Sequence, residues 1–126
     1  PLVRDLERIR ATGRDYPMLT ARDLADIARL TIGHAPGEAR RFPASPLRAA
    51  HLAGVAPTVL AVAGHDPLRE EGLAYAERLR AEGVGMELLD FPDMFHPFLG
   101  FFLQSDGARR ASDRICEAFA RLLHAP

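Results

Sequence analysis

Several features are scarce or missing in this chain. Its 126 residues include a single cysteine, Cys116, and no tryptophan. A lone cysteine excludes an internal disulfide framework and fits a reducing, cytoplasmic compartment. No apolar run approaches the roughly 20 residues that span a bilayer, so no membrane span is expected. Charges nearly cancel, with 16 Lys and Arg against 17 Asp and Glu and a net charge of −1. That removes any global electrostatic case for nucleic acid or an anionic membrane as partner. No signal peptide is visible, but the chain opens on Pro1 rather than Met, and its natural beginning is expected to lie upstream. His34, His51, His65 and His124 are scattered without metal-ligand spacing, and no metal or organic cofactor is implied. The most telling absence is a motif. No Gly-x-Ser-x-Gly occurs, the elbow that presents a nucleophilic serine between a strand and a helix. Ser45, Ser105 and Ser112 are poor substitutes, because none lies at such an elbow.

What is present is ordinary globular composition, 48% hydrophobic and 26% charged, at a length that suits one domain with a core of its own. Leu2, Leu6 and Ile9 give residues 1–14 a short helical spacing. The spacing predicts a helix around Met18 to His34, where Thr20 can cap and Asp23 sits three positions later. Leu24, Ile27, Ala28 and Thr31 line one face of it, and Gly33 is a stop. Residues 35–57 hold Pro36, Gly37, Pro43, Pro46, Gly54 and Pro57 and read as a long connection, with a turn of helix near Leu47 to Leu52. The pattern then changes. Thr58 to Ala63 is a continuous, β-branched apolar run ending at Gly64, which suits a parallel strand buried on both faces. Residues 67–82 follow as a helix, with Leu68, Leu73, Ala76 and Leu79 on the buried side and Gly83 as terminator. Met86 to Phe91 is a second strand, closed by Pro92. Ile115, Phe119, Leu122 and Leu123 mark a final helix starting near Asp106. The order strand-helix-strand-helix argues for a parallel α/β layer.

In open parallel sheets, sites form beyond the carboxyl ends of the strands. His65 and Asp66 fall just past Gly64, and His96 falls in the loop after the second strand. An acid and a histidine 30 positions apart at the ends of successive strands suit two members of a Ser-His-Asp triad. In that chemistry the imidazole takes the serine proton and returns it to the leaving group. The carboxylate fixes the tautomer and stabilises the imidazolium.

An ordered set of segments sharpens this reading. Ala44-Ser45-Pro46-Leu47-Arg48-Ala49, Pro57-Thr58-Val59-Leu60, Gly64-His65-Asp66-Pro67-Leu68-Arg69-Glu70-Glu71-Gly72, Tyr75-Ala76-Glu77-Arg78-Leu79 and Phe91-Pro92-Asp93-Met94-Phe95-His96-Pro97-Phe98 together resemble the C-terminal part of the hormone-sensitive-lipase-like α/β-hydrolases. The resemblance covers roughly residues 15–124 and is specific as a set, although each piece alone is weak. It implies the C-terminal portion of an α/β-hydrolase fold, with parallel strands, flanking helices and a sheet incomplete in this chain. On that frame residues 1–57 form a helix and connection, and 58–126 carry the strand-helix-strand-helix unit of a single partial domain. The resemblance further implies Asp66 as triad acid, His96 as triad base and a small-molecule ester as substrate. The family's oxyanion segment, His-Gly-Gly-Gly, is not in the chain. Two positions depart from the family pattern: Glu70 stands where Asp is usual, and Pro97 where Gly is usual. Proline fixes its own φ, lacks a backbone donor and pushes His96 toward extended geometry.

Plainer readings stand beside these. Asp66 precedes Pro67 and a helix, so it also reads as an N-cap with Pro at the first helical position; the two roles are compatible. His96, between Phe95 and Phe98, also reads as a core histidine. Glu70 and Glu71 suit the positive end of a helix dipole. Phe98, Phe101 and Phe102 either border an acyl pocket or simply pack. The whole chain reads as the C-terminal segment of a serine carboxylic-ester hydrolase, a lipase- or esterase-like enzyme whose nucleophile lies elsewhere. The alternative is a non-catalytic truncated remnant or a small α/β binding module. Because the first strand has one obvious neighbour in the chain, its other edge is expected to pair with the missing N-terminal segment or with a second copy of the chain.

Overall fold

A computed structural model describes residues 9, 11, 16–33 and 45–124 of the chain. The opening helix expected over 1–14 lies outside these residues except at positions 9 and 11, both helical. Residues 35–44 of the expected connection lie outside them too.

Helix α1 spans Ala21–Ile32. Thr20 and Asp23 close a reciprocal capping box. The Thr20 hydroxyl accepts from the Asp23 N–H at 3.2 Å, and the Asp23 carboxylate accepts from the Thr20 N–H at 2.8 Å. The Thr20 hydroxyl also donates to that carboxylate, and together these bonds hold Asp23 below the ordinary carboxylate range. Gly33, at φ 62°, ends the helix in a backbone conformation that side chains resist. The stripe expected to be buried is buried only at Leu24, which joins Ile9 and Leu19 in a small cluster. Ile27 and Thr31 are exposed. Periodicity identifies a helical face, but the neighbour that covers it decides how much of that face is buried.

The connection from Ser45 to Pro57 contains one turn of 3-10 helix, Pro46–Arg48. It is tied to the following helix by two side chains. Arg78 donates to the carbonyls of Leu47 and Ala49 at 2.6 and 2.9 Å and to Glu82 at 2.7 Å. Glu82 in turn accepts from the N–H groups of Leu52 and Ala53. The Leu52 N–H, followed by Arg78, holds the Glu82 carboxyl below its ordinary range.

The central unit is strand β1, Thr58–His65, helix α2, Arg69–Ala81, strand β2, Met86–Phe95, and helix α3, Asp106–Leu123. The strands pair in parallel, with Thr58 opposite Met86 and Ala63 opposite Phe91. Alternate side chains enter different layers. Met86 packs with Leu52, Leu79 and Val84 on the α2 side, and Val62 meets Gly72 of α2. Val59, Ala63, Leu89 and Phe91 pack with Ala111, Ile115 and Ala118 on the α3 side. β1 therefore has packing on both faces, but of its apolar run only Val62 and Ala63 are buried and Ala61 is exposed. Among the described residues only β2 pairs with it, and its other edge has no strand partner.

Both strands end later than expected. β1 continues through Gly64 to His65, and Pro92 does not close β2, which runs on to Phe95. The ladder changes register at this point, and proline is tolerated at a bulge because no regular ladder bond is lost there. The buried face of α3 also differs. Ala108, Ala111 and Ala118 are its buried residues, while Phe119 and Leu123 are exposed. The small alanines let the helix approach the sheet, and the large apolar residues fall outside that contact. Among the described residues, no helix is long and apolar enough to cross a membrane.

Candidate active site

The two strands deliver their ends side by side. Asp66 follows β1 directly and His96 follows β2 directly, so both stand at the carboxyl edge of the parallel pair, where open α/β sheets form sites. Their side chains meet: His96 Nδ1 lies 2.9 Å from Asp66 Oδ2. The acid is well shielded, with 11% of its side chain exposed, whereas the imidazole is 40% exposed.

A carboxylate in its ionised form can only accept, and with that form the bond takes its hydrogen from Nδ1. In a neutral ring that arrangement leaves Nε2 as an acceptor. No other described residue bonds the ring. The second Asp66 oxygen, Oδ1, accepts from the Leu68 N–H at 2.7 Å, and the Asp66 carbonyl accepts from the Arg69 N–H at 3.1 Å. Asp66 thus closes the turn into α2 and holds His96 with the same carboxylate. The expected cap is displaced: Leu68 holds the cap position and α2 begins at Arg69, so Asp66 closes the turn before the helix instead of capping it, and Pro67 is not its first residue.

Neighbouring residues brace the pair. Arg69 bonds the Asp90 carboxylate across the sheet, which ties the first residue of α2 to β2. The sequence patterns did not single out this link, because only the register brings position 90 beneath the helix start. After β2, Phe98 is buried and packs against Phe91 with ring centroids 5.3 Å apart. Phe95 meets Phe101 edge-on, also at 5.3 Å. These contacts anchor both sides of the His96 loop. The His96–Pro97 peptide bond is cis. Of the other sequence candidates, His65 is exposed at the rim and Phe102 is exposed beyond the loop.

A cleft of about 380 Å³ opens beside the pair. Leu60, Val62, Leu68 and Tyr75 supply apolar wall, and Asp66, Arg69, Glu71 and His96 supply polar groups. It runs along the edge of β1 that lacks a strand partner. A second cleft of about 340 Å³ lies between β2 and α3 and contains neither Asp66 nor His96. The first of the two contains the Asp66–His96 pair. Among the described residues, no serine hydroxyl bonds His96. Ser105 accepts from the Ala108 N–H at the start of α3, and Ser112 donates to the Ala108 carbonyl. Ser45 is buried, and its hydroxyl has no partner among the described residues. No group of described residues has the composition of a metal site.

Parallel strands covered by helices, with a carboxylate and an imidazole hydrogen-bonded beyond their carboxyl ends, fit the α/β-hydrolase class. The profile of the alpha/beta hydrolase fold matches residues 1–100, and the chain belongs to that family. Carboxylesterase NlhH of Mycobacterium tuberculosis is 38% identical over 103 residues, which are 82% of this chain and 29% of that protein. Esterase LipI of the same organism is 33% identical over 114 residues, 90% of this chain and 36% of the relative. Among solved structures, a Pyrobaculum calidifontis esterase superposes with a TM-score of 0.74 at 29% identity, over 84% of this chain and 33% of the esterase. The chain therefore spans about a third of the length of the relatives it matches, and its sheet is part of an α/β-hydrolase sheet.

Proposed function

We propose that this chain supplies the acid and the base of a Ser-His-Asp triad for hydrolysis of a small carboxylic ester. His96 is the general acid/base and Asp66 orients it. The carboxylate keeps the proton on Nδ1, so Nε2 can accept the proton of a serine hydroxyl as that oxygen attacks the ester carbonyl. The same nitrogen then protonates the leaving alkoxide, and a water repeats the cycle on the acyl-enzyme. The serine and the oxyanion donors come from sequence outside this chain. That sequence, or a second copy of the chain, pairs with the uncovered edge of β1.

The observation that carries this reading is the 2.9 Å contact between Asp66 and a half-exposed His96 at the mouth of a cleft. The esterase relatives support it. The test is turnover of a short-chain activated ester. The isolated 126-residue chain is expected to give no turnover that depends on His96, since both nucleophile and oxyanion hole are lacking. Joined to the nucleophile-bearing upstream sequence, it is expected to give turnover that His96→Ala abolishes. Activity of the joined enzyme that survives His96→Ala would overturn the assignment.

A further inference from the structure

The ladder between the strands keeps one offset over most of its length. Thr58 faces Met86 and Ala63 faces Phe91, each pair 28 positions apart. One step further His65 faces Phe95, 30 positions apart. Two additional β2 residues are absorbed opposite Gly64. Asp66 and His96 stand at the second offset. Had the first continued, the residue reaching Asp66 would have been Met94, which has no proton-transfer chemistry. The bulge is what exchanges a thioether for an imidazole at this position.

Gly64 is where the bulge is accommodated. A Cβ built on it would lie 1.9 Å from the Pro92 carbonyl oxygen and 2.5 Å from the carbonyl carbon. Both are backbone atoms, so no rotamer change relieves the clash. Gly64 does not have a positive φ, so its role is close approach and not an unusual backbone angle. Bulges near active sites re-aim side chains, and here the re-aimed residue is the histidine.

We propose that Gly64 is a positioning residue for the Asp66–His96 pair: its bare Cα lets the Pro92 peptide fold over β1, and the resulting bulge carries His96 to Asp66. The proposal rests on the reading of that pair as the functional acid and base. Without a side chain at 64, β2 takes up its two extra residues. With one, the Pro92 segment is displaced and His96 leaves the carboxylate, while the remaining ladder from Thr58 to Ala63 is untouched.

The test uses the full chain with labelled histidine, in mildly alkaline buffer where imidazoles are neutral. Ring nitrogen shifts report which nitrogen carries the proton, and His96 is assigned from the spectrum of His96→Gln. The parent is expected to show the Nδ1–H form, and Asp66→Ala to lose it. Gly64→Ala is expected to lose it too, with a dispersed backbone spectrum. Deleting Pro92 and Asp93 in the Gly64→Ala chain straightens β2, removes the clash and again sets His96 opposite Asp66, so the Nδ1–H form is expected to return. A folded Gly64→Ala that keeps the Nδ1–H form overturns the proposal. If Gly64→Ala alone does not fold, the deletion decides: recovery of fold and tautomer supports the proposal, and failure to recover overturns it. If Asp66→Ala changes nothing in the parent, the pair itself is not formed, and the functional reading falls together with this proposal.

Discussion

Asp66 divides its carboxylate between two tasks, holding His96 Nδ1 at 2.9 Å through one oxygen and the Leu68 N–H at 2.7 Å through the other. The acid is therefore fixed by its own turn before it orients the histidine. In the enzyme completed with its nucleophile, Asp66→Asn is expected to lower kcat by roughly 10⁴-fold, with a smaller effect on KM, because the wrong tautomer is favoured while the binding surface is kept. Steady-state kinetics on an activated ester measure this. A loss of less than tenfold would mean that another group orients His96.

The link between α2 and the preceding connection predicts a pH effect. The Glu82 carboxyl is held below its ordinary range, first by the Leu52 N–H and next by Arg78. A carboxyl whose folded value is depressed stabilises the fold above its unfolded value, and that contribution is lost as pH falls through the folded value. Glu82→Gln is accordingly expected to lower the urea midpoint at neutral pH. The gap between parent and variant is expected to shrink once pH drops below about 4, where unfolded glutamate takes up its proton. A gap that is constant from neutral to acid pH would show that Glu82 acts through packing alone.

Leu79 is fully buried and bridges α2 to Leu52 and Val84. Leu79→Ala is expected to cost about 2–5 kcal/mol, the transfer loss plus an unfilled cavity. Leu30 on α1 is 78% exposed, and Leu30→Ala is expected to change stability by no more than about 0.5 kcal/mol. Denaturant unfolding of the two variants under one condition checks the contrast. Similar losses would show that Leu30 is covered in solution.

The free edge of β1 predicts association. Ala61 is exposed beside buried Val62 and Ala63, and an uncovered strand edge with apolar flanks recruits another strand. The isolated chain is expected to sediment as a concentration-dependent oligomer at micromolar levels. Ala61→Lys is expected to shift it toward monomer, since lysine on an edge opposes pairing. A parent chain that stays monomeric over that range would defeat the prediction.

Much of this architecture was legible in local patterns. The run Thr58 to Ala63 suited a strand with packing on both faces, because no alternation was left to present to water, and of its residues Val62 and Ala63 are buried while Ala61 is exposed. The Thr20–Asp23 spacing announced the start of α1, and Gly33 and Gly83 marked turns that both take positive φ. Placing an acid and a histidine after successive parallel strands put them at one rim. What the sequence could not determine was set by contacts between distant segments. Pro92 looked like a strand end because a proline cannot serve a regular ladder; only the close approach to Gly64 turns it into a bulge inside β2. Phe119 and Leu123 looked like core because they are large and apolar, but the closeness of α3 to the sheet selected Ala111 and Ala118 instead. The meeting of Asp66 with His96, rather than with Met94, was likewise a matter of register. Register is a property of two strands together, and neither strand encodes it alone.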